Sequence, residues 1–262
     1  MRRLYFGGWA LALALAPSFL LARVHPFGDA GLNHPAAVPR IPRESSIPAE
    51  VSVLLESKCA DCHSSQPRAP FYRQFAPVSW LLERDIVAAR SQMNLSAWNT
   101  YTPEQQETFR SKMLQQARAG AMPLLPYRLV HWSTSITPRD LQVLANWAHP
   151  SGEAVSSMDA TGPGNASRGK AVFEKRCTGC HALTTSHEGP PLAGVFGRHI
   201  ASVSGFPYSP ALRQSNVVWD EHSLDRWLTE PDSFIANSNM DFRVPKTQER
   251  RDLIAYFKQL GR

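Results

Sequence analysis

Cysteine is scarce, with four in 262 residues, too few to brace a chain of this length with disulfides. All four fall in two five-residue clusters, Cys59-Ala-Asp-Cys62-His63 and Cys177-Thr-Gly-Cys180-His181, so cysteine serves local chemistry at two places. Charge is sparse at 19%, and the net +6 does not gather into a stripe. Residues 1–46 carry +3, 47–150 carry +2, 151–164 carry −2 and 165–262 carry +3. No helix-turn-helix, zinc-finger or RNA-binding pattern accompanies that charge, which argues against nucleic acid as a partner. The chain also lacks a Walker loop, a Gly-x-Gly-x-x-Gly turn and a Ser-His-Asp order, so the common nucleotide-binding and acyl-transfer classes are not indicated. At 43% hydrophobic residues it is neither disordered throughout nor collagen-like.

One long uncharged run is present. Arg2 and Arg3 precede nineteen uncharged residues, Leu4 to Ala22, closed by Arg23, the charge layout of a secretory signal or a signal anchor. Spanning a bilayer takes about 17–25 residues. The clearest small-x-small candidate, Ala14-Leu15-Ala16, is followed by Pro17, which disfavours a cut there. Residues 1–23 are therefore expected to anchor the chain in the inner membrane, a cleaved signal peptide being the alternative. In either case the remainder is expected on the periplasmic side, anchored or soluble.

Composition then divides the chain. Residues 24–47 hold Pro26, Pro35, Pro39 and Pro42 and read as a tether, or a strap over the first domain. Residues 150–164 are small, polar and Gly/Pro-containing, a linker between domains at 48–149 and 165–262. Strand signals are poor and helix signals good. Thr102-Pro103-Glu104 and Thr137-Pro138 combine an N-cap with a first-turn proline. Val78 to Arg90 is amphipathic, and Leu253, Tyr256, Phe257 and Leu260 recur at helical spacing. The expected fold is all-α, with two small helical domains in tandem and long irregular loops.

Cys-x-x-Cys-His is the attachment pattern of c-type haem: two thiols at i and i+3 reach the two vinyl groups on one edge of the ring, and the adjacent imidazole coordinates iron. A shared zinc site would need the clusters to converge across the linker, and a thioredoxin-like pair needs a preceding strand, where Val51, Leu54 and Leu55, or Gly169 and Phe173, read as helix. The pattern points to two covalently attached c-type haems, held by Cys59, Cys62, Cys177 and Cys180, with His63 and His181 on iron.

Residues 165–262 resemble class I cytochrome c of the mitochondrial and bacterial c2 type. The match lies in Gly169-Lys-Ala-Val-Phe173 before Cys177, Gly189-Pro190-Pro191-Leu192, Gly197-Arg198, Phe206-Pro-Tyr208, Trp219, Met240-Asp-Phe242 and Leu253-Ile-Ala-Tyr256. The resemblance implies that Pro190 packs on the His181 side. It implies that Arg198, Tyr208 and Trp219 enclose the propionates, and that Met240 is the distal ligand with Trp227 and Phe242 beside it. It also implies that Gly169 lets two helices cross closely. The loop Ile-Ala-Asn-Ser-Asn before Met240 departs from the family's Pro-Gly-Thr-Lys, so a lysine-ringed docking face is not carried over. Residues 48–149 resemble the bacterial haem-binding domain of exported cytochromes, through Cys59-x-Asp-Cys62-His63-Ser64, Trp80, Asn94-Leu-Ser-Ala-Trp98 and Gly120-Ala-Met122-Pro123.

These readings lead to an exported dihaem cytochrome that carries single electrons between redox protein partners. A dihaem peroxidase with one opened coordination site is the enzymatic alternative, and a gas sensor a weaker one. For the first haem, His63 to Met122 spans the same interval as His181 to Met240. Met122 is therefore the expected sixth ligand, with His131 its competitor.

Overall fold

The computed structural model describes residues 15–150 and 162–261. Most of the N-terminal apolar run lies outside these residues. Its described end, 15–21, is helical, and no helix among the described residues is long and apolar enough to cross a membrane. Seven longer helices come after it: α1 (Ala49–Lys58), α2 (Val78–Gln92), α3 (Pro103–Arg118), α4 (Pro138–Ala148), α5 (Ala166–Arg176), α6 (Glu221–Thr229) and α7 (Thr247–Leu260). Single turns such as Leu125–Val130 and Pro231–Phe234 lie between them. Extended pairing among the described residues amounts to one bridge, His199 with Val218, so the all-α expectation holds.

Caps start the helices where the sequence places them. Thr102 Oγ1 accepts the Gln105 N–H at 3.3 Å and Gln105 Oε1 accepts the Thr102 N–H at 3.0 Å, a reciprocal cap ahead of Pro103. Thr137 and Asp140 do the same for α4. Gly120, at φ +65°, turns the chain out of α3 in a conformation most side chains avoid.

The fold forms two compact units. One takes the chain up to Tyr101 together with Pro126–Ser135, and the other takes Thr102–Leu125 together with Ile136 onward. This division differs from the one drawn at the 150–164 linker. α3 and α4 precede that linker, yet α3 packs on both α4 and α5 and joins the unit of the second cysteine motif.

In the first unit, Leu55, Leu95 and Trp98 are fully buried. The proline-bearing segment 24–47 packs as a strap, burying Ala30, Leu32, Ile41 and Ile47. Hydrogen bonds supply what apolar periodicity does not: Trp80 Nε1 donates to the Val24 carbonyl at 2.9 Å, Arg73 donates to the Leu32 carbonyl at 2.7 Å, and Arg40 pairs with Asp61.

In the second unit, α5 crosses α7 at Gly169. A Cβ there would lie 1.9 Å from the Asp252 carbonyl oxygen, so only glycine admits the crossing. Asp252 also ties the helices together, accepting from Arg168 at 2.7 Å and from the Asn165 N–H at 2.8 Å. Phe173, Leu253, Tyr256 and Phe257 fill the contact.

Candidate functional site

Each cysteine motif begins where a helix ends. α1 stops at Lys58 and α5 at Arg176, and one further turn presents the cysteines and histidine together: His63 N–H bonds the Cys59 carbonyl at 3.0 Å, and His181 N–H bonds the Cys177 carbonyl at 2.8 Å. None of the four cysteines is in a disulfide. Burial pushes the Cys62 thiol up to about 11 and those of Cys177 and Cys180 up to about 12. Among the described residues no group of three or more His, Cys, Asp or Glu could hold a metal ion.

The second motif opens onto a cavity of about 220 Å³. All ten residues expected there line it: Cys177, Cys180, His181, Pro190, Arg198, Tyr208, Trp219, Trp227, Met240 and Phe242. His181 Nδ1 donates to the Pro190 carbonyl at 2.8 Å, which fixes the ring and leaves Nε2 as the nitrogen that could meet a metal. Burial lowers the His181 pKa against the opposing pull of that bond, favouring the neutral imidazole a metal requires. Gly189 lies flat against the ring, where a Cβ would stand 2.2 Å from Cε1. Met240 lines the same cavity on a loop bent by Asn237 (φ 60°) and Asn239 (φ 66°). Asparagine tolerates this left-handed region, so the departing loop sequence still turns its methionine inward. Trp219 and Trp227 stack obliquely at 5.3 Å, and Arg198 is braced on the Pro191 carbonyl at 2.8 Å. A planar apolar body with two attachment points, an imidazole and a thioether ligand fits these walls.

The chain belongs to the cytochrome c family. Residues 166–261 match the cytochrome c family model, and residues 20–150 match a haem-binding domain. Cytochrome c of Sesamum indicum is 35% identical over 108 residues, 40% of this chain and 97% of that protein. That of Euglena viridis is 37% identical over 100 residues, 37% of this chain and 98% of that protein. Cytochrome c 2.1 of Caenorhabditis elegans is 40% identical over 98 residues, 36% of this chain and 88% of that protein. Membership implies c-type haem with iron and an electron-carrier role.

In this cytochrome the first motif is held by other means. His63 Nδ1 donates to the Met93 carbonyl at 3.1 Å, from the residue just after α2, and again Nε2 is the nitrogen that could meet a metal. Asp61 accepts from Tyr127 Oη at 2.5 Å as well as from Arg40. His131 stacks on Tyr127 at 4.2 Å between centroids and donates Nδ1–H to the Tyr127 carbonyl at 3.2 Å. Met122, by contrast, is 38% exposed and lies in the stretch that belongs to the second compact unit. Trp98 is a core residue bonded to Ser46 Oγ.

Sequence reasoning missed the contribution of α3. Thr108, Ser111, Lys112 and Gln115 line the second cavity although they precede the linker. Their spacing, i, i+3, i+4, i+7, is the one signal they give, and a polar stripe on a helix reads as a solvated face.

Proposed function

We propose that this cytochrome is an exported dihaem electron carrier on the periplasmic side of the inner membrane, anchored through its N-terminal run, passing single electrons between redox protein partners. The observation that carries the reading is a repeated imidazole geometry: His63 and His181 each follow a Cys-x-x-Cys, and each donates Nδ1–H to a backbone carbonyl. Bound haem supplies a reversible one-electron iron couple. The chain's part is to hold the ring by Cys59 and Cys62, or Cys177 and Cys180. It also presents a fixed imidazole, excludes water with Trp219, Trp227 and Phe257, and closes the second iron with Met240.

Intact mass and a pyridine haemochrome assay test the count, with two covalent haems per chain expected. One haem would overturn the dihaem reading, and a stable high-spin haem with rapid peroxide turnover would overturn the carrier reading. Fractionation of the host is expected to place the protein in membranes. Quantitative recovery in the soluble periplasm would instead favour a cleaved signal.

For the first haem we place Met122 as sixth ligand. His131 is the second reading, favoured by its membership of the same compact unit as His63 and by its anchored ring. Met122→Ala is expected to create a high-spin haem. If only His131→Ala does so, His131 is the ligand.

A further inference from the structure

α3 lies wholly outside the cytochrome c match, which begins at residue 166 and, in the relatives, covers nearly their whole length. It is thus an addition to that fold, and it stands against the edge where haem is attached. Ion pairs fasten it: Glu107 with Arg176, Lys112 with Glu188 at 3.0 Å, and Arg118 with both Asp232 at 3.0 Å and Asp241. Lys112 Nζ also donates to the carbonyl of Gly179, inside the attachment motif, at 2.9 Å. Thr108 packs so closely that a Cβ on Gly179 would come within 2.9 Å of its methyl group. Of the lysine and glutamate side chains lining this cavity, Lys112 is 14% exposed and Glu188 32% exposed.

We infer that α3 is a built-in wall of the second haem cavity, and that its Lys112, balanced against Glu188, sets the reduction potential of that haem. The inference rests on the reading that haem is attached at Cys177 and Cys180. Reduction adds one electron, so a nearby cation stabilises the reduced form and a nearby anion the oxidised form. Paired at 3.0 Å, the two charges largely cancel; removing either leaves the other uncompensated beside a largely apolar cavity. Arg176, the other cation at this edge, is already balanced by Glu107 and Glu249. Lys112 and Glu188 are therefore positioning residues that act on the potential without ligating.

The test is potentiometric titration of the full-length, haem-loaded protein, following absorbance through both reduction steps. The step belonging to the second haem is identified as the one altered by Met240→Ala. Lys112→Met is expected to lower its potential and Glu188→Gln to raise it, each changing the reduction equilibrium by roughly threefold to tenfold. Tenfold corresponds to about 59 mV for one electron. Lys112→Arg is expected to keep the wild-type potential and guards against a folding defect in Lys112→Met. Both substitutions break the same ion pair, so a merely structural fastener would move the potential in one direction for both. Same-direction shifts, or none in a fully loaded second site, would overturn this inference and leave the haem reading standing. A second site shown by peptide mass to carry no haem would overturn both.

Discussion

At the scale of single residues, the tightest constraint in the second unit is the absence of a side chain at Gly169. Its neighbour across the crossing is backbone, the Asp252 carbonyl, which cannot swing aside as a side-chain tip would. Gly169→Ala is expected to lower stability by about 1–3 kcal/mol or more, read as a fall in the melting temperature of the haem-loaded protein. A melting temperature within a degree of wild type would mean the crossing is looser than it stands here. Asp252 adds a pH dependence. Burial alone would raise its pKa, but hydrogen bonds from Arg168, the Asn165 N–H and Gln248 outweigh this and hold it below its ordinary 3.8. A depressed folded-state pKa means the contribution is complete above the ordinary value and is lost as pH falls through the folded one. Acid unfolding below about pH 4 is therefore expected to be shallower in Asp252→Asn, which starts from a lower stability at neutral pH. Parallel stability curves from pH 7 to pH 2 would remove Asp252 from the account. Met240→Ala is expected to turn one haem high-spin with attachment intact, visible by EPR; an unchanged spectrum would exclude Met240 as ligand.

At the scale of elements, α3 shows how much of a helix is local. Thr102, Pro103 and Gln105 start it, and Gly120 ends it, through bonds and backbone angles within a few residues, so its boundaries were readable from the chain. Its role was not. Lys112 bonds a carbonyl 67 residues further on, and nothing in the local pattern distinguishes a polar stripe facing water from one facing a cavity. Removing the cap by Thr102→Ala is expected to cost about 1 kcal/mol and to speed amide exchange in the first turn of α3, with α7 unaffected. Uniform exchange changes across both helices would contradict a local cap. For the segment 24–47 the sequence left a tether and a strap as alternatives, for a related reason. Its few buried side chains, Ala30, Leu32, Ile41 and Ile47, follow no helical or strand period, and its anchors are hydrogen bonds to residues far along the chain.

At the scale of the whole molecule, the linker in sequence and the boundary between compact units do not coincide. α3 and α4 lie in the unit of the second motif, so a fragment starting at Gly162 is expected to melt lower, when haem-loaded, than one starting at Thr102. Equal melting temperatures would show that the two helices add nothing to that unit.

The all-α class, the two Cys-x-x-Cys-His motifs and the helix caps were determined by the chain alone, because each is a short-range pattern with one dominant physical reading, whereas the role of Gly169 was legible only through the resemblance to cytochrome c. The residues walling the second site became legible through resemblance to cytochrome c, and the structure gathers all ten at one cavity. Only the tertiary structure decided what stands against that cavity from outside the match. The carbonyls chosen by His63 and His181, the left-handed asparagines that turn Met240 inward, and the Lys112–Glu188 pair all depend on where distant backbone arrives. Such placement is set by the packing of whole helices, and a charged or polar side chain carries no local mark of which partner that packing will bring to it.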